Sequence, residues 1–291
     1  MSVNILLTSD LHIDVGDFGK TVARTLPALA AEIRPDILII AGDVSPELSR
    51  LKRGLRGFRE TLNCPKLFVP GNHDIWVARS NIKIDSWIKY DDLLPEACEE
   101  SGFHFLPGHP VQISGIGFGG SIGWYDYSFR NREMDDRITL KDYQRKRFHG
   151  RVWNDKYYAR WNKPDEEVAQ EFARRLNEDL SVLDLLDVPV VCVTHHLPFP
   201  QLVQHTGDVD WDYFSAFMGS ASIGETILRH RNVKFAFSGH THRKNEAQVN
   251  GVLAITSPIG YEHEVQGEPM EHLRNAMTLI EIPVCRVTSD L

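Results

Sequence analysis

Cysteine is scarce in this chain. The 291 residues hold four, Cys64, Cys98, Cys192 and Cys285, too dispersed for a disulfide framework or a Cys-x-x-Cys motif. Apolar runs are short, and none approaches the roughly 20 residues that a membrane-spanning helix requires, so no membrane partner is expected. Met1-Ser2-Val3-Asn4 leads straight into an apolar stretch without a basic n-region or cleavage site. A soluble, reducing compartment, the cytoplasm, is therefore the expected location. Repeats and low-complexity tracts are missing too, which argues against a repeat architecture. Positive charge is in deficit, with 32 lysines and arginines against 40 aspartates and glutamates, and an acidic chain repels a long polyanion. Nucleic-acid polymer is thus an unlikely partner.

What the chain does have is a set of apolar runs that stop at metal-ligating residue types. Ile5-Leu6-Leu7 runs into Thr8-Ser9-Asp10-Leu11-His12, Ile37-Leu38-Ile39-Ile40 into Ala41-Gly42-Asp43, and Leu67-Phe68-Val69 into Pro70-Gly71-Asn72-His73-Asp74. Val190-Val191-Cys192-Val193 runs into Thr194-His195-His196, and Phe235-Ala236-Phe237 into Ser238-Gly239-His240-Thr241-His242. Short β-branched and aromatic runs bounded by Gly or Pro read as strands buried on both faces. Open α/β sheets carry their ligands just past the carboxyl ends of such strands. Gly42, Gly71 and Gly239 suit positive φ or a close approach of backbone to a ligand, although ordinary turns use glycine in the same way.

Between these runs lie helical patterns. Lys20–Ile33 reads as a helix, and Ser45 as N-cap with Pro46 at the first helical position opens another towards Leu62. Pro164-Asp165-Glu166-Glu167 starts an amphipathic helix that places Val168, Phe172, Leu176 and Leu180 on one buried face. Val252–Thr256 and Met277–Ile282 are expected to be strands closing a second sheet. Because the candidate ligands run from Asp10 to His242, both halves of the chain must build one site, and residues 1–291 read as a single domain.

In this order the blocks resemble the calcineurin-like metallophosphoesterase superfamily. The resemblance implies an α/β fold of two stacked mixed β-sheets flanked by helices, a four-layer αββα sandwich. Carried over residue by residue, it puts one metal between Asp10, His12, Asp43 and His242, and the other between Asp43, Asn72, His195 and His240, with Asp43 as the bridge. His195 is preferred to the adjacent His196 as the first His of a doublet, and alternating strand geometry sends neighbouring side chains in opposite directions. The extra Leu197 before Pro198 departs from the usual pattern.

Imidazole nitrogens with carboxylate and amide oxygens, and no thiolate, suit Mn, Fe, Zn, Co or Ni, with Mn the first choice for reconstitution in vitro. Two such divalent or mixed-valence ions can trap a hydroxide, the expected nucleophile for in-line attack on phosphorus. His73, directly after the ligand Asn72, is expected to face the substrate and to stabilise the phosphoryl group or protonate the leaving oxygen. Asp74 is expected to hydrogen-bond His73 and fix its tautomer, or to cap a helix. The remaining histidines, His104, His109, His149, His205, His230, His263 and His272, show no ligand spacing.

One stretch differs from its surroundings. Residues 121–164 carry eleven lysines and arginines against six aspartates and glutamates, and ten aromatic residues, within a chain of net charge −8. Long connections are usually functional or disordered, and the aromatic content argues against disorder. Two readings stand: a substrate-facing cap whose Arg145-Lys146-Arg147 draws in an anion, or an aromatic satellite of the core with a solvated basic surface. The expected function is a dinuclear-metal hydrolase of a small phosphomonoester or phosphodiester, nucleotides included. The alternatives are a nuclease or protein phosphatase on the same fold, or a non-catalytic interaction scaffold.

Overall fold

The structure, a computed structural model, describes residues 2–284 apart from Arg79 and Ile82; Cys285 lies outside the described residues. Its strands in chain order are β1 (Ser2–Thr8), β2 (Ile37–Ile40), β3 (Lys66–Phe68), β4 (His104–Phe105), β5 (Val111–Ile113) and β6 (Ile116–Ser121). They continue with β7 (Arg147–Phe148), β8 (Arg151–Val152), β9 (Val190–Thr194), β10 (Val233–Ser238), β11 (Asn245–Val249), β12 (Val252–Thr256) and β13 (Thr278–Pro283). One sheet has the order β13-β1-β2-β3-β4 and the other β11-β12-β10-β9-β6-β5; the hairpin β7-β8 stands apart. Within each sheet the central strands are parallel, while β13, β11 and β5 pair antiparallel at the edges.

Strand alternation builds the layers. Ile5 and Leu7 of β1 join Ile37, Ile39, Leu67, Phe118, Val191, Val193 and Phe237 in a cluster drawn from both sheets, which is the inner core of a sandwich. Leu6, Leu38, Ile40 and Phe68 point the other way and share a cluster with Val22, Leu26, Leu51 and Leu55 of the helices Gly16–Ile33 and Leu48–Thr61. The helices Asp165–Leu183 and Ala221–Arg229 cover the second sheet, with Val168, Phe172, Leu176 and Leu180 all buried as the amphipathic pattern requires. The result is the expected mixed α/β architecture of two sheets flanked by helices.

Three local readings need correction. The first helix begins at Gly16, ahead of Lys20. The second begins at Leu48 after Glu47 and not at Pro46: Glu47 O, and not Ser45 O, accepts the first helical bond, from Leu51 N–H at 2.9 Å, while the Ser45 hydroxyl accepts from Glu47 N–H in a short turn. The last strand joins the first sheet and not the second: Ile280 and Ile282 enter the inner core opposite Ile5 and Val3, on the flank of β1 left open by β2. No helix among the described residues is long and apolar enough to cross a membrane.

Candidate active site

The loops after β1, β2, β3, β9 and β10 meet at one end of the sandwich. Within the first sheet, Asp10 N–H donates to Gly42 O and His12 N–H to Asp43 O, each at 2.9 Å. Across the sandwich, Ser9 N–H donates to Ser257 O at 2.9 Å, and His240 N–H lies 3.0 Å from Asp10 Oδ1. The turns are sharp: Asp10, His12, Asp43, His240 and His242 all take positive φ, between 40° and 71°. Such left-handed backbone is uncommon for residues with a side chain and concentrates at functional sites, where surrounding contacts hold it.

This backbone gathers all seven expected ligands. Asp10 Oδ1 lies 3.5 Å from His242 Nε2, which lies 3.0 Å from His12 Nε2; the latter is 3.8 Å from Asp43 Oδ2. The same Asp43 Oδ2 lies 3.4 Å from His195 Nε2, and Asn72 Oδ1 is 3.1 Å from both His195 Nε2 and His240 Nδ1. Candidate donor atoms of Asp10, His12 and His242 lie within 4.8 Å of one another, as do those of Asp43, His195 and His240. His196 turns away, with Nδ1 3.0 Å from Ile122 O.

The glycines are explained by this crowding. Gly42 sits at φ 89°, and a Cβ on Gly71 would come within 2.1 Å of Asp43 Oδ1 and 2.7 Å of the His195 ring. A side chain there would displace the group that both halves of the site share.

Asp74 corrects its expected role. Its carboxylate accepts N–H donors from Asp43 and Gly71 through Oδ2 and from Val44 and Ser45 through Oδ1, at 2.8–2.9 Å. Both oxygens are committed to the backbone of the Asp43 loop and not to His73, and Asn72–Ile75 forms a turn in place of a helix start. His73 is oriented by other neighbours: its ring stacks on Trp76 at 3.7 Å, with Nε2 4.0 Å from Asp43 Oδ2.

The electrostatics fit a cation-binding centre. Burial holds His12 and His240 well below the usual imidazole range, and burial lowers His73 as well. Burial also opposes charge on His195 and His242, but Asp43 pushes the first up to about 9, while Asp10 and Glu264 push the second up to about 10. Despite its burial, Asp43 is held well below the carboxylate range by His195 and His73. Buried carboxylates are thus balanced by imidazolium, and metal ions at the same nitrogens would supply that balance in place of protons. The facing nitrogens of His12 and His242 at 3.0 Å, and of His195 and His240 at 3.2 Å, form at most one hydrogen bond each, whereas a shared cation satisfies every lone pair. The donor set therefore fits two divalent ions.

Beside this cluster opens a cavity of about 300 Å³, lined among others by Asp43, Asn72, His73, His240 and His242. Its remaining wall includes Trp76, Val152, Trp153, Asn154, Trp211, Met218, Tyr261 and Glu264. A second depression of about 820 Å³ shares Trp211, Thr241, His242 and Glu264 with it. Glu264 accepts at 2.8 Å from His242 Nδ1, which leaves His242 Nε2 facing Asp10, and Tyr261 stacks on His12 at 4.3 Å. These residues escape a sequence reading because neither follows a strand in a ligand motif.

Residues 121–164 divide between the two readings. Val152, Trp153 and Asn154 line the cavity. Trp124, Tyr125, Tyr127, Tyr143 and Trp161 are buried in the helix-side core instead. The basic residues are spent locally: Arg145 on Asp142 and Lys146 on Asp165, at 2.8 and 2.7 Å, with Arg147 3.4 Å from the Tyr157 hydroxyl. None of Arg145, Lys146 and Arg147 lines the cavity, so an anion-drawing role for them would act at a distance and not by contact. Arg130 pairs with Asp135, and His205 lies 4.0 Å from Asp212, both likewise outside its lining.

Residues 3–244 match the description of the calcineurin-like phosphoesterases, and the chain belongs to that family. Its catalytic class is accordingly that of a phosphoester hydrolase. Among curated relatives, the acyl-carrier-protein phosphodiesterase PptH of Mycobacterium tuberculosis is 28% identical over 270 residues, covering 88% of this chain and 77% of that protein. A probable cyclic nucleotide phosphodiesterase of Synechococcus is 27% identical over 253 residues, covering 84% and 74%. In three dimensions, the crystal structure of the M. tuberculosis phosphopantetheinyl hydrolase superposes with a TM-score of 0.69 over 90% of both chains at 23% identity. A dimetal phosphatase from Danio rerio superposes with a TM-score of 0.52 at 15% identity, over 92% of this chain and 90% of that one. At these identities the structural likeness speaks for the fold.

Proposed function

We propose that this chain hydrolyses a small phosphodiester, with two divalent transition-metal ions held by Asp10, His12, Asp43, Asn72, His195, His240 and His242. The observation that carries the reading is the meeting of these seven side chains around Asp43, beside a cavity on which His73 opens. When bound, the ions supply Lewis acidity toward the phosphoryl oxygens and lower the pKa of water. The protein's own part is positional. Asp43 presents one oxygen, Oδ2, to ligand nitrogens of both groups, His12 and His195, and the Asp74 carboxylate fastens the loop that carries it. His73, held against Trp76, donates a hydrogen bond to the phosphoryl group or the leaving oxygen.

The preference for a diester over a monoester comes from the cavity wall. Neither lysine nor arginine is among its described lining residues, so beside the ions only His73 faces the second negative charge of a phosphomonoester, Arg243 and Lys244 lining the adjoining depression instead. Trp76, Trp153, Trp211 and Met218 offer an apolar, partly planar surface for an organic group on the ester, and the adjoining depression has room for its second arm. The relatives named as phosphodiesterases support the same choice. In this reading 121–164 acts as a cap through Val152, Trp153 and Asn154, within a single domain.

The test is a comparison of Mn-loaded protein on bis-p-nitrophenyl phosphate, p-nitrophenyl phosphate, single-stranded DNA and a phosphopeptide. Faster turnover of the small diester than of the monoester is the expected result. A preference for the monoester, DNA or phosphopeptide would overturn it, and far fewer than two ions per chain with no activity would leave a non-catalytic scaffold.

A further inference from the structure

Asp155 belongs to none of the ligand blocks, yet it touches three of the site's supports. It lies in the short helix Asp155–Tyr158 within the 121–164 segment and is 1% exposed. Its Oδ1 accepts from Asn72 Nδ2 at 3.0 Å and from Trp76 Nε1 at 2.6 Å, and its Oδ2 accepts from Trp153 Nε1 at 2.7 Å. Three donors converging on one buried carboxylate hold each partner in one orientation.

Each of these partners touches the site. An amide has one donor end and one acceptor end, so fixing Asn72 Nδ2 on Asp155 leaves Oδ1 facing His195 Nε2 and His240 Nδ1, the orientation a metal ligand needs. Trp76 carries the His73 ring at 3.7 Å, and Trp153 meets the His240 ring edge-on at 5.7 Å while lining the cavity. We propose that Asp155 is the positioning residue through which the 121–164 segment sets the metal-binding orientation of Asn72 and locks the two tryptophan walls. The proposal rests on the ligand set put forward above.

Metal-free full-length protein is titrated with Mn²⁺ by calorimetry while tryptophan emission is recorded. Asp155→Asn keeps the shape but removes an acceptor, so at least one of three donors goes unpaired. It is expected to weaken one Mn²⁺ site by about 10- to 100-fold and to shift tryptophan emission, with the helical circular dichroism preserved. The reciprocal exchange, Asn72→Asp with Asp155→Asn, made together with Trp76→Phe so that no indole N–H faces the new amide at the shared Oδ1 position, rebuilds the amide–carboxylate bond in the opposite sense and is expected to recover most of the lost affinity. Native affinity with native emission in Asp155→Asn overturns the proposal. Should Asp155→Asn fail to fold, the reciprocal exchange decides: recovery of tight Mn²⁺ binding supports the role, and no recovery overturns it. Wild-type protein that binds two ions yet cleaves no phosphoester would sink the proposed function alone, since the Asp155 readouts do not use turnover.

Discussion

The loop around Asp43 and the stretch Val152–Asn154 face the same cavity, but their side chains are held there by different means. Asp43 sits on a left-handed backbone between two sheets, fastened by the Asp74 carboxylate and hemmed in by Gly71. Val152–Asn154 closes a two-residue-wide hairpin ladder, anchored by buried aromatics behind it and by Asp155 beneath it. The first kind of construction fixes atoms to within a fraction of an ångström for chemistry; the second presents a surface whose shape selects what enters. Substitutions in the two regions should therefore fail in different ways.

The largest effect belongs to Asp43→Ala. Removing the carboxylate shared by both halves of the ligand set is expected to drop bound Mn well below two ions per chain and to abolish measurable turnover. Retention of two ions, measured by elemental analysis after gel filtration, would contradict the shared role. His73→Asn comes next: metal content should stay native while kcat falls by about 10²- to 10⁴-fold. If His73→Asn loses metal as Asp43→Ala does, the separation between holding ions and contacting the substrate collapses.

Asp74→Ala probes the same loop from behind. It leaves the N–H groups of Asp43, Val44, Ser45 and Gly71 without their acceptor in a buried setting. A loss of stability of about 3–5 kcal/mol is expected, since each unpaired buried donor costs about 1–3 kcal/mol and the contributions do not add fully. Urea unfolding checks it, and a loss below about 1 kcal/mol would show that water replaces the carboxylate.

The difference between the regions also decides what was legible in the sequence. Asp10, His12, Asp43, Asn72, His195, His240 and His242 each follow an apolar run within a few residues, so residue type and strand-end position coincide and their convergence can be anticipated. Only His195 of the doublet turns toward Asp43, but strand alternation is not the cause: both residues lie in a bend beyond β9, where both N–H groups reach Ile122 O. Asp155 is invisible at this level: its partners Asn72 and Trp76 are 83 and 79 positions away, and no local period marks a bond of that span. Asp74 misleads for a related reason. Adjacency to His73 suggests a side-chain pair, but four backbone N–H groups of two loops converge on the carboxylate first. Aromatic density in 121–164 is equally ambiguous, because the same residues serve as core, as Tyr125 does, or as cavity wall, as Trp153 does.

The smallest effect is expected where the sequence looks most like an anion-binding patch. Arg145 is about three-quarters exposed and pairs with Asp142 within one turn, and Arg147 reaches the Tyr157 hydroxyl at the surface. Exposed pairs of this kind contribute about 0–1 kcal/mol, and at ordinary salt their field fades over roughly 8–10 Å. Arg145→Ala with Arg147→Ala should accordingly leave KM for bis-p-nitrophenyl phosphate within about twofold of wild type, since changes that small correspond to less than ~0.5 kcal/mol. Lys146 is left in place, because its ammonium is mostly buried against Asp165 and lies 5.0 Å from the Tyr125 ring centre, where it supports the aromatic core. A tenfold rise in KM for the double variant, falling away at 0.5 M NaCl, would mean that long-range attraction by the segment governs substrate capture and that the wall formed by Trp76 and Trp153 is secondary.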